Sequence, residues 1–408
     1  ERVLEDTGVR LSLNVGGADL SVRVFVREVV SAVGGVVPVY FLDVEPGVSE
    51  SWDVVNQALY GGGPDNRLHQ EALLGLGGMA LAQEMGWEDR VVHLNEGHTA
   101  LAAWHIAAEH GVEAARSRCR FTTHTPVGAG HDTFNWSLVE EVLGPETAEG
   151  LSEVVSTDGG RPGVLNMSHL AAALSSSVNG VSVCNAEVAP DLFPDRLLPN
   201  GIVAVTNGVH LETWCVEPMR ALFDSYLPGW REDPELLREA PLSLPDDALA
   251  TARFQAKADF VELVNARCLA GFDARLPLVG FARRMTGYKR ANLVLRDIAR
   301  LEAIAERFGG LQIVFSGRAH PADGEGQSIL RELVLAGQGS RWLRIAVLDG
   351  YSLREGRMMT GGVDIWLNNP VRPLEASGTS GMKAVLQGVP NLSIPDGWWL
   401  EGCRHGVN

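Results

Sequence analysis

Leu276-Pro277-Leu278-Val279-Gly280-Phe281 is an apolar run of strand length, and four cations follow it within nine residues: Arg283, Arg284, Lys289 and Arg290. The run has no polar alternation, so it predicts a strand covered on both faces. The residues after it repeat the pattern. A helical stretch over about 291–308 is followed by strand-like 311–315. A helix near 328–336 precedes strand-like 343–348. A short helix near 353–359 leads to strand-like 363–367, and a last apolar run covers 390–394. Continuous apolar strands alternating with helices predict a parallel sheet in an α/β unit.

The first half reads similarly but less regularly. Residues 37–42, 91–94, 120–123, 178–183 and 202–205 read as strands, and 68–85 and 99–109 as helices. The segment 214–270 between the halves reads as mostly helical. The domain boundary is expected near residue 210, giving a domain over 1–210 and a second over 211–408.

Composition bounds the function. The 408 residues carry 34 basic and 51 acidic side chains, a net charge of −17. That balance argues against nucleic acid or an anionic membrane as the main partner. No run of about 18 apolar residues is present, so no transmembrane helix is expected. The first residues, Glu1-Arg2-Val3-Leu4-Glu5-Asp6, do not read as a signal peptide. The cysteines, Cys119, Cys184, Cys215, Cys268 and Cys403, are odd in number and lack CxxC spacing. They read as reduced, mostly buried thiols of a cytoplasmic protein.

In so acidic a chain, the cations after Phe281 form a focused anion site at the carboxyl edge of a sheet. Basic residues at a helix start oppose the macrodipole, and a bound phosphate would relieve that conflict.

A second stretch, Ser377-Gly378-Thr379-Ser380-Gly381-Met382-Lys383, places small residues at a helix start and a lysine on the first turn. Backbone N–H groups there can face an anion. Lys383 lies four residues after Thr379, on the same face and about 6 Å along the axis. A cofactor with a phosphate at one end and an aldehyde at the other fits that separation, and pyridoxal phosphate is such a molecule. On spacing alone, an ordinary N-cap with a solvated lysine explains the stretch as well.

His93, Asn95, Glu96 and His98 follow one strand, and His124 and His131 follow another. The spacing is not that of the helical zinc motifs and no cysteine pair assists, so a metal is not expected. Asn207-Gly208 alone reads as a simple turn. Gly75-Leu76-Gly77-Gly78-Met79-Ala80 matches the dinucleotide fingerprint as a string, but it follows a helix-like segment, so its context fails.

Taken together, LYGGGPDNRLHQEALLG, HLNEGHTALAA, FTTHTPVGAGHDTF, VNGVSVCNAEV, TNGVHLETW, FARRMTGYKRANL, LDGYSLREG and RPLEASGTSGMKA resemble the α-glucan (glycogen/maltodextrin) phosphorylases of the shorter bacterial and archaeal type. The resemblance implies a GT-B fold, two Rossmann-like domains facing a cleft, with glucan on the first and pyridoxal 5'-phosphate in the second. It implies Lys383 as the Schiff-base lysine, with Gly378, Thr379 and Ser380 on the cofactor phosphate. Arg283 stands near that phosphate, where many relatives carry lysine, and Trp214 and Tyr351 lie against the cofactor. Arg284 and Lys289 would bind the substrate phosphate. His98, Asn207, Glu375 and Ser377 would hold the glucosyl unit.

The implied reaction is phosphorolysis of α-1,4-glucans such as glycogen, starch or maltodextrin. The cofactor phosphate relays a proton through inorganic phosphate, and α-D-glucose 1-phosphate leaves with retained configuration. The resemblance leaves a homodimer and allosteric control open. The family's N-terminal glycine-rich loop and its closing C-terminal helices are not in these residues, so the chain reads as an internal fragment. A retaining glycosyltransferase using a nucleotide sugar, such as a glycogen or starch synthase, is the alternative, though it has no use for an aldehyde cofactor. A non-catalytic glucan-binding module is a third reading, and the presence of Lys383, Arg284 and Lys289 together argues against it.

Overall fold

The computed structural model describes residues 4–31, 34–57, 62–87, 89–156, 160–320, 323–336, 338–404 and 406. The opening Glu1-Arg2-Val3, the Leu59-Tyr60-Gly61 start of one quoted segment, and the closing Val407-Asn408 lie outside them. The chain divides into two compact units, Glu1–Thr206 and Asn207–Asn408.

The first unit opens with three long strands, β1 (Glu5–Val15), β2 (Ala18–Val30) and β3 (Val36–Val44), paired antiparallel in that order. Gly16 and Gly17 join β1 to β2 at φ 59° and 89°, the left-handed geometry of a two-residue hairpin. A Cβ on Gly16 would also lie 2.3 Å from the Val142 carbonyl oxygen. Leu11, Val15, Leu20, Val22, Val24 and Val44 are buried, while many of the residues between them are exposed. This sheet corrects the expectation for residues 37–42. They are a strand, but of an antiparallel ribbon, and β1 and β2 were not anticipated at all.

The same unit holds a four-stranded parallel sheet. Its strands are β4 (Val92–Asn95), β5 (Cys119–Thr122), β8 (Ser177–Gly180) and β9 (Ile202–Ala204), in the order β4-β5-β8-β9. Between β5 and β8 runs a short antiparallel pair, β6 (Thr133–Asn135) and β7 (Val164–Asn166). The Gly75–Ala80 string lies inside consecutive helical segments spanning Gly63–Glu84, not after a strand. A Cβ on Gly75 would come within 2.7 Å of Ala102 N, so that glycine permits close packing on the helix Ala100–His110.

The second unit is built on five parallel strands: β10 (Leu278–Ala282), β11 (Leu311–Ser316), β12 (Leu343–Leu348), β13 (Ile365–Asn368) and β14 (Asn391–Ser393). One face packs on the helices Asp246–Cys268 and Leu353–Gly362 through Phe260, Val264 and Met359. The other packs on Met285, Leu295, Ile329 and Leu333. Two covered faces explain the unbroken apolar runs. The helical stretch expected over 291–308 is split, a 3-10 turn Ala291–Leu295 followed by the helix Ile298–Arg307. Asp297 starts that helix by accepting a hydrogen bond from Arg300 N at 3.0 Å.

The strand order is β12-β11-β10-β13-β14. The chain therefore winds outward from β10 to β12, then crosses back to β13 on the other side of β10. At such a reversal the loops leaving two neighbouring strands part in opposite directions and leave a crevice at their carboxyl ends. Among the described residues, no helix is long and apolar enough to cross a membrane.

Candidate active site

Arg283 directly follows β10, and Asn368 ends β13. Because those strands are neighbours, residues 85 positions apart in sequence meet. Arg283 Nε and Nη2 donate to Asn368 Oδ1 at 3.1 and 3.0 Å, and Nη1 donates to Glu375 Oε1 at 3.1 Å. Lys289 Nζ donates to the other oxygen, Glu375 Oε2, at 2.5 Å. Glu375 is 6 % exposed and Lys289 8 %. Two cations thus share one buried carboxylate, and the cluster keeps a net positive charge.

The titration behaviour follows from that geometry. Burial alone would raise the Glu375 carboxyl, but Arg283 and Lys289 overcome it and hold it below the usual range. Burial and the neighbouring Arg283 push Lys289 down to about 8, with Glu375 opposing. A buried surplus of positive charge is costly unless an anion completes it. Arg284 lies beside the Tyr288 hydroxyl, which burial raises and Arg284 partly restores.

Downstream of Glu375 the backbone turns through Gly378 at φ +90° and enters the helix Thr379–Val385. A Cβ on Gly378 would stand 3.3 Å from Arg283 Nη2 and 3.5 Å from Glu375 Cγ. Trp398 Nε1 donates to the Gly378 carbonyl at 3.1 Å, and Trp366 Nε1 donates to Ser380 Oγ at 3.3 Å. Asp396 accepts from Glu375 N at 3.0 Å and from Gly397 N at 2.9 Å, fixing the loop from behind. Among the described residues, Ser377 Oγ is buried with no hydrogen-bond partner.

Lys257, Lys289 and Lys383 are the only lysines of the chain. Lys257 pairs with Asp364 at 2.6 Å and Lys289 with Glu375. Lys383 has no ion-pair partner among the described residues. Its Nζ lies 3.5 Å from the centroid of the Trp214 ring. Burial and Arg283 push it down to about 8. A desolvated amine with a lowered pKa is a nucleophile at neutral pH, suited to a carbonyl group. Tyr351 packs over Gly356, where a Cβ would reach its Cζ and Oη at 2.9 Å. The residue keeps 39 % of its surface, while burial of its hydroxyl end pushes that group up to about 12.

In the first unit, His98 sits on the 3-10 turn Gly97–Thr99 just beyond β4. Burial, then Arg67, lowers its pKa. His124, beyond β5, has its Nε2 2.7 Å from Asn95 Oδ1, and its backbone N donates to Glu96 Oε2 at 2.7 Å. His93 is tied to Thr122 Oγ1 at 2.9 Å. His131 is buried against the rings of His169 and Phe193. Among the described residues no group of three or more His, Cys, Asp or Glu is placed to hold a metal ion. Asn207 is the first residue of the second unit, half-buried in the irregular segment 205–210.

Sequence reasoning gave no role to Arg67, Glu71 and Asp132. Arg67 reaches Glu71 Oε1 through Nε and Asp132 Oδ2 through Nη2, each at 2.9 Å. Glu71 is 1 % exposed, and burial followed by Asp132 pushes it up to about 9, so it is the protonated member of the pair. The Arg67/Glu71 spacing of four residues on one helix was the available signal.

A family model described as carbohydrate phosphorylase matches residues 109–404. The maltodextrin phosphorylase of Thermococcus litoralis is 40 % identical over 407 residues, spanning 90 % of this chain and 48 % of that protein. The glycogen phosphorylase of Aquifex aeolicus is 33 % identical over 411 residues, spanning 90 % and 59 %. That of Mycobacterium bovis is 34 % identical over 440 residues, spanning 94 % and 50 %. The chain spans about half the length of these relatives.

Proposed function

The chain belongs to the carbohydrate phosphorylase family, and from that premise we propose that the protein containing it degrades α-1,4-glucans by phosphorolysis to α-D-glucose 1-phosphate with retained configuration. We infer the GT-B class of fold and a pyridoxal phosphate cofactor on the same basis. The observation that carries the reading is Lys383, a half-buried amine without an ion-pair partner among the described residues, in the last turn of the short helix Thr379–Val385, whose entry lies against the cationic cluster.

The residues present fit that cofactor. The Gly378 turn leaves open a space that a Cβ would fill beside Arg283, and Ser377 Oγ is buried without a hydrogen-bond partner among the described residues. Lys383 would hold the aldehyde end, with Trp214 and Tyr351 alongside. Gly378, Thr379 and Ser380 would hold the phosphate end, with Arg283 beside it. When bound, the cofactor supplies a phosphate that acts as proton relay. Arg284 and Lys289 would bind inorganic phosphate, since two dianions held close together need several cations in a water-poor site. His98, Asn207, Glu375 and Ser377 would hold the glucosyl unit, Glu375 using lone pairs left over from its two cation bonds.

A nucleotide-sugar transferase has no use for Lys383 in this setting. The test is phosphate-dependent release of glucose 1-phosphate from maltodextrin by the full-length protein. Release that requires phosphate and is lost in Lys383→Ala supports the reading. Turnover of a nucleotide sugar in place of phosphorolysis overturns it.

A further inference from the structure

Glu96 adopts φ 74° and ψ 167°, a region that is essentially glycine's alone. Such a conformation persists only where its surroundings hold it. Here Glu96 N donates to the Thr122 carbonyl at 2.9 Å, extending the β4–β5 ladder, and its own carbonyl accepts from Thr99 Oγ1 at 2.8 Å. The next residue cannot shift to relieve it, because a Cβ on Gly97 would already lie 2.6 Å from Ser168 Oγ and 2.8 Å from Ser168 N. A glycine at position 96 would take this backbone without strain. The chain holds a glutamate there instead, so the side chain must return something.

What it returns is a link between two loops. The carboxylate accepts from His124 N at 2.7 Å and from Thr125 Oγ1 at 3.2 Å, both on the loop after β5. Its bond within its own loop, from Gly97 N, is the longest at 3.4 Å, so capping the turn is not its main work. A second tie runs beside it, His124 Nε2 to Asn95 Oδ1 at 2.7 Å. We infer that Glu96 is a positioning residue, whose carboxylate fixes the loop carrying His98 against the loop carrying His124. The effect on turnover rests on the phosphorolysis reading. The effect on loop geometry does not.

The experiment compares Glu96→Gly, Glu96→Ala and Glu96→Asp in the full-length protein. Amide exchange at His124 and the imidazole 15N shifts of His98 and His124 are read beside unfolding temperature and steady-state kinetics. Loss of the link should speed exchange at His124 N by roughly tenfold or more, and shift both imidazoles, in the Gly and Ala variants. The Gly variant should unfold no lower than the Ala variant, because it sheds the strain, yet lose kcat just as Ala does with its cofactor retained. The Asp variant, which keeps the carboxylate, should recover part of the exchange protection. A Gly variant with the parent's His124 protection and imidazole shifts overturns the inference. If the parent proves not to be phosphorolytic, the kinetic arm fails with that reading, and the exchange and 15N data still decide the role of Glu96.

Discussion

The Lys383 ammonium nitrogen lies 3.5 Å from the centroid of the Trp214 indole ring. The ring attracts a cation through its quadrupole but supplies no counter-charge and excludes water. Arg283 adds repulsion, and the amine is pushed down to about 8. Lys257 and Lys289, by contrast, each hold a carboxylate.

Selective labelling follows. At pH 8 about half of a group titrating near 8 is neutral, against roughly 0.4 % of an ordinary lysine. Pyridoxal phosphate with borohydride should therefore modify Lys383 well before Lys257 and Lys289, whose amines are buried and each held by a carboxylate, and Lys383→Arg should abolish that modification. Peptide mapping after brief reaction checks it. Equal label on the three lysines would count against Lys383 as the amine left without a carboxylate.

The same depression has a thermodynamic sign. Lys383 binds its proton less tightly folded than unfolded, so between about 8 and the ordinary lysine value near 10.5 the unfolded chain holds more protons. The contribution of Lys383 to stability is unfavourable at neutral pH and recovers as pH rises through that window. Lys383→Met should be at least as stable as the parent at pH 7, and its advantage should shrink toward pH 10. Urea unfolding across that range measures it. A variant less stable at pH 7, with no trend, would show that the ring contact outweighs desolvation.

Glu375→Ala should be among the most damaging substitutions in the second unit. It strands Arg283 and Lys289 in a buried site, a loss of about 3–5 kcal/mol. Lys289 should also fall below 8, because Glu375 is what holds it up. Adding Lys289→Met should recover part of the loss, since one stranded cation is gone. The carboxyl sits below its ordinary value, so its contribution is complete above about pH 4.5 and disappears as pH falls through the folded value. Denaturant unfolding of the single and double variants gives the coupling; simple additivity would contradict the shared carboxylate.

Much of the second unit was legible in the sequence because its central strands β10, β11 and β13 are largely covered on both faces and read as mostly apolar runs. β1 and β2 were missed although Val9, Leu11, Leu13 and Val15 alternate and Gly16-Gly17 is a hairpin signal. A search for continuous runs passes over a sheet with one wet face. The Lys383 helix could be read because its parts are local. The Arg283–Glu375 pair could not, since it depends on β10 lying beside β13 and no spacing encodes strand order. The Glu96 strain was equally hidden, because φ is set by what surrounds it.

Arg283 does two separable jobs, and substitutions can divide them. Its fork spans Asn368 Oδ1 and Glu375 Oε1, and its charge depresses Lys383. Arg283→Lys keeps the charge, but a point-like ammonium cannot reach both acceptors in the same planar fork. One buried acceptor then loses its donor, a cost of about 1–3 kcal/mol. Arg283→Met removes the charge as well, so Lys383 should rise toward its ordinary value. The pH profile of Lys383 labelling should therefore stay near 8 in the Lys variant and move upward in the Met variant, while both unfold at lower denaturant than the parent. A profile that moves equally in both would mean that geometry, through the packing of the Gly378 turn, sets the Lys383 environment. A profile that moves in neither would leave burial against Trp214 as the sole cause.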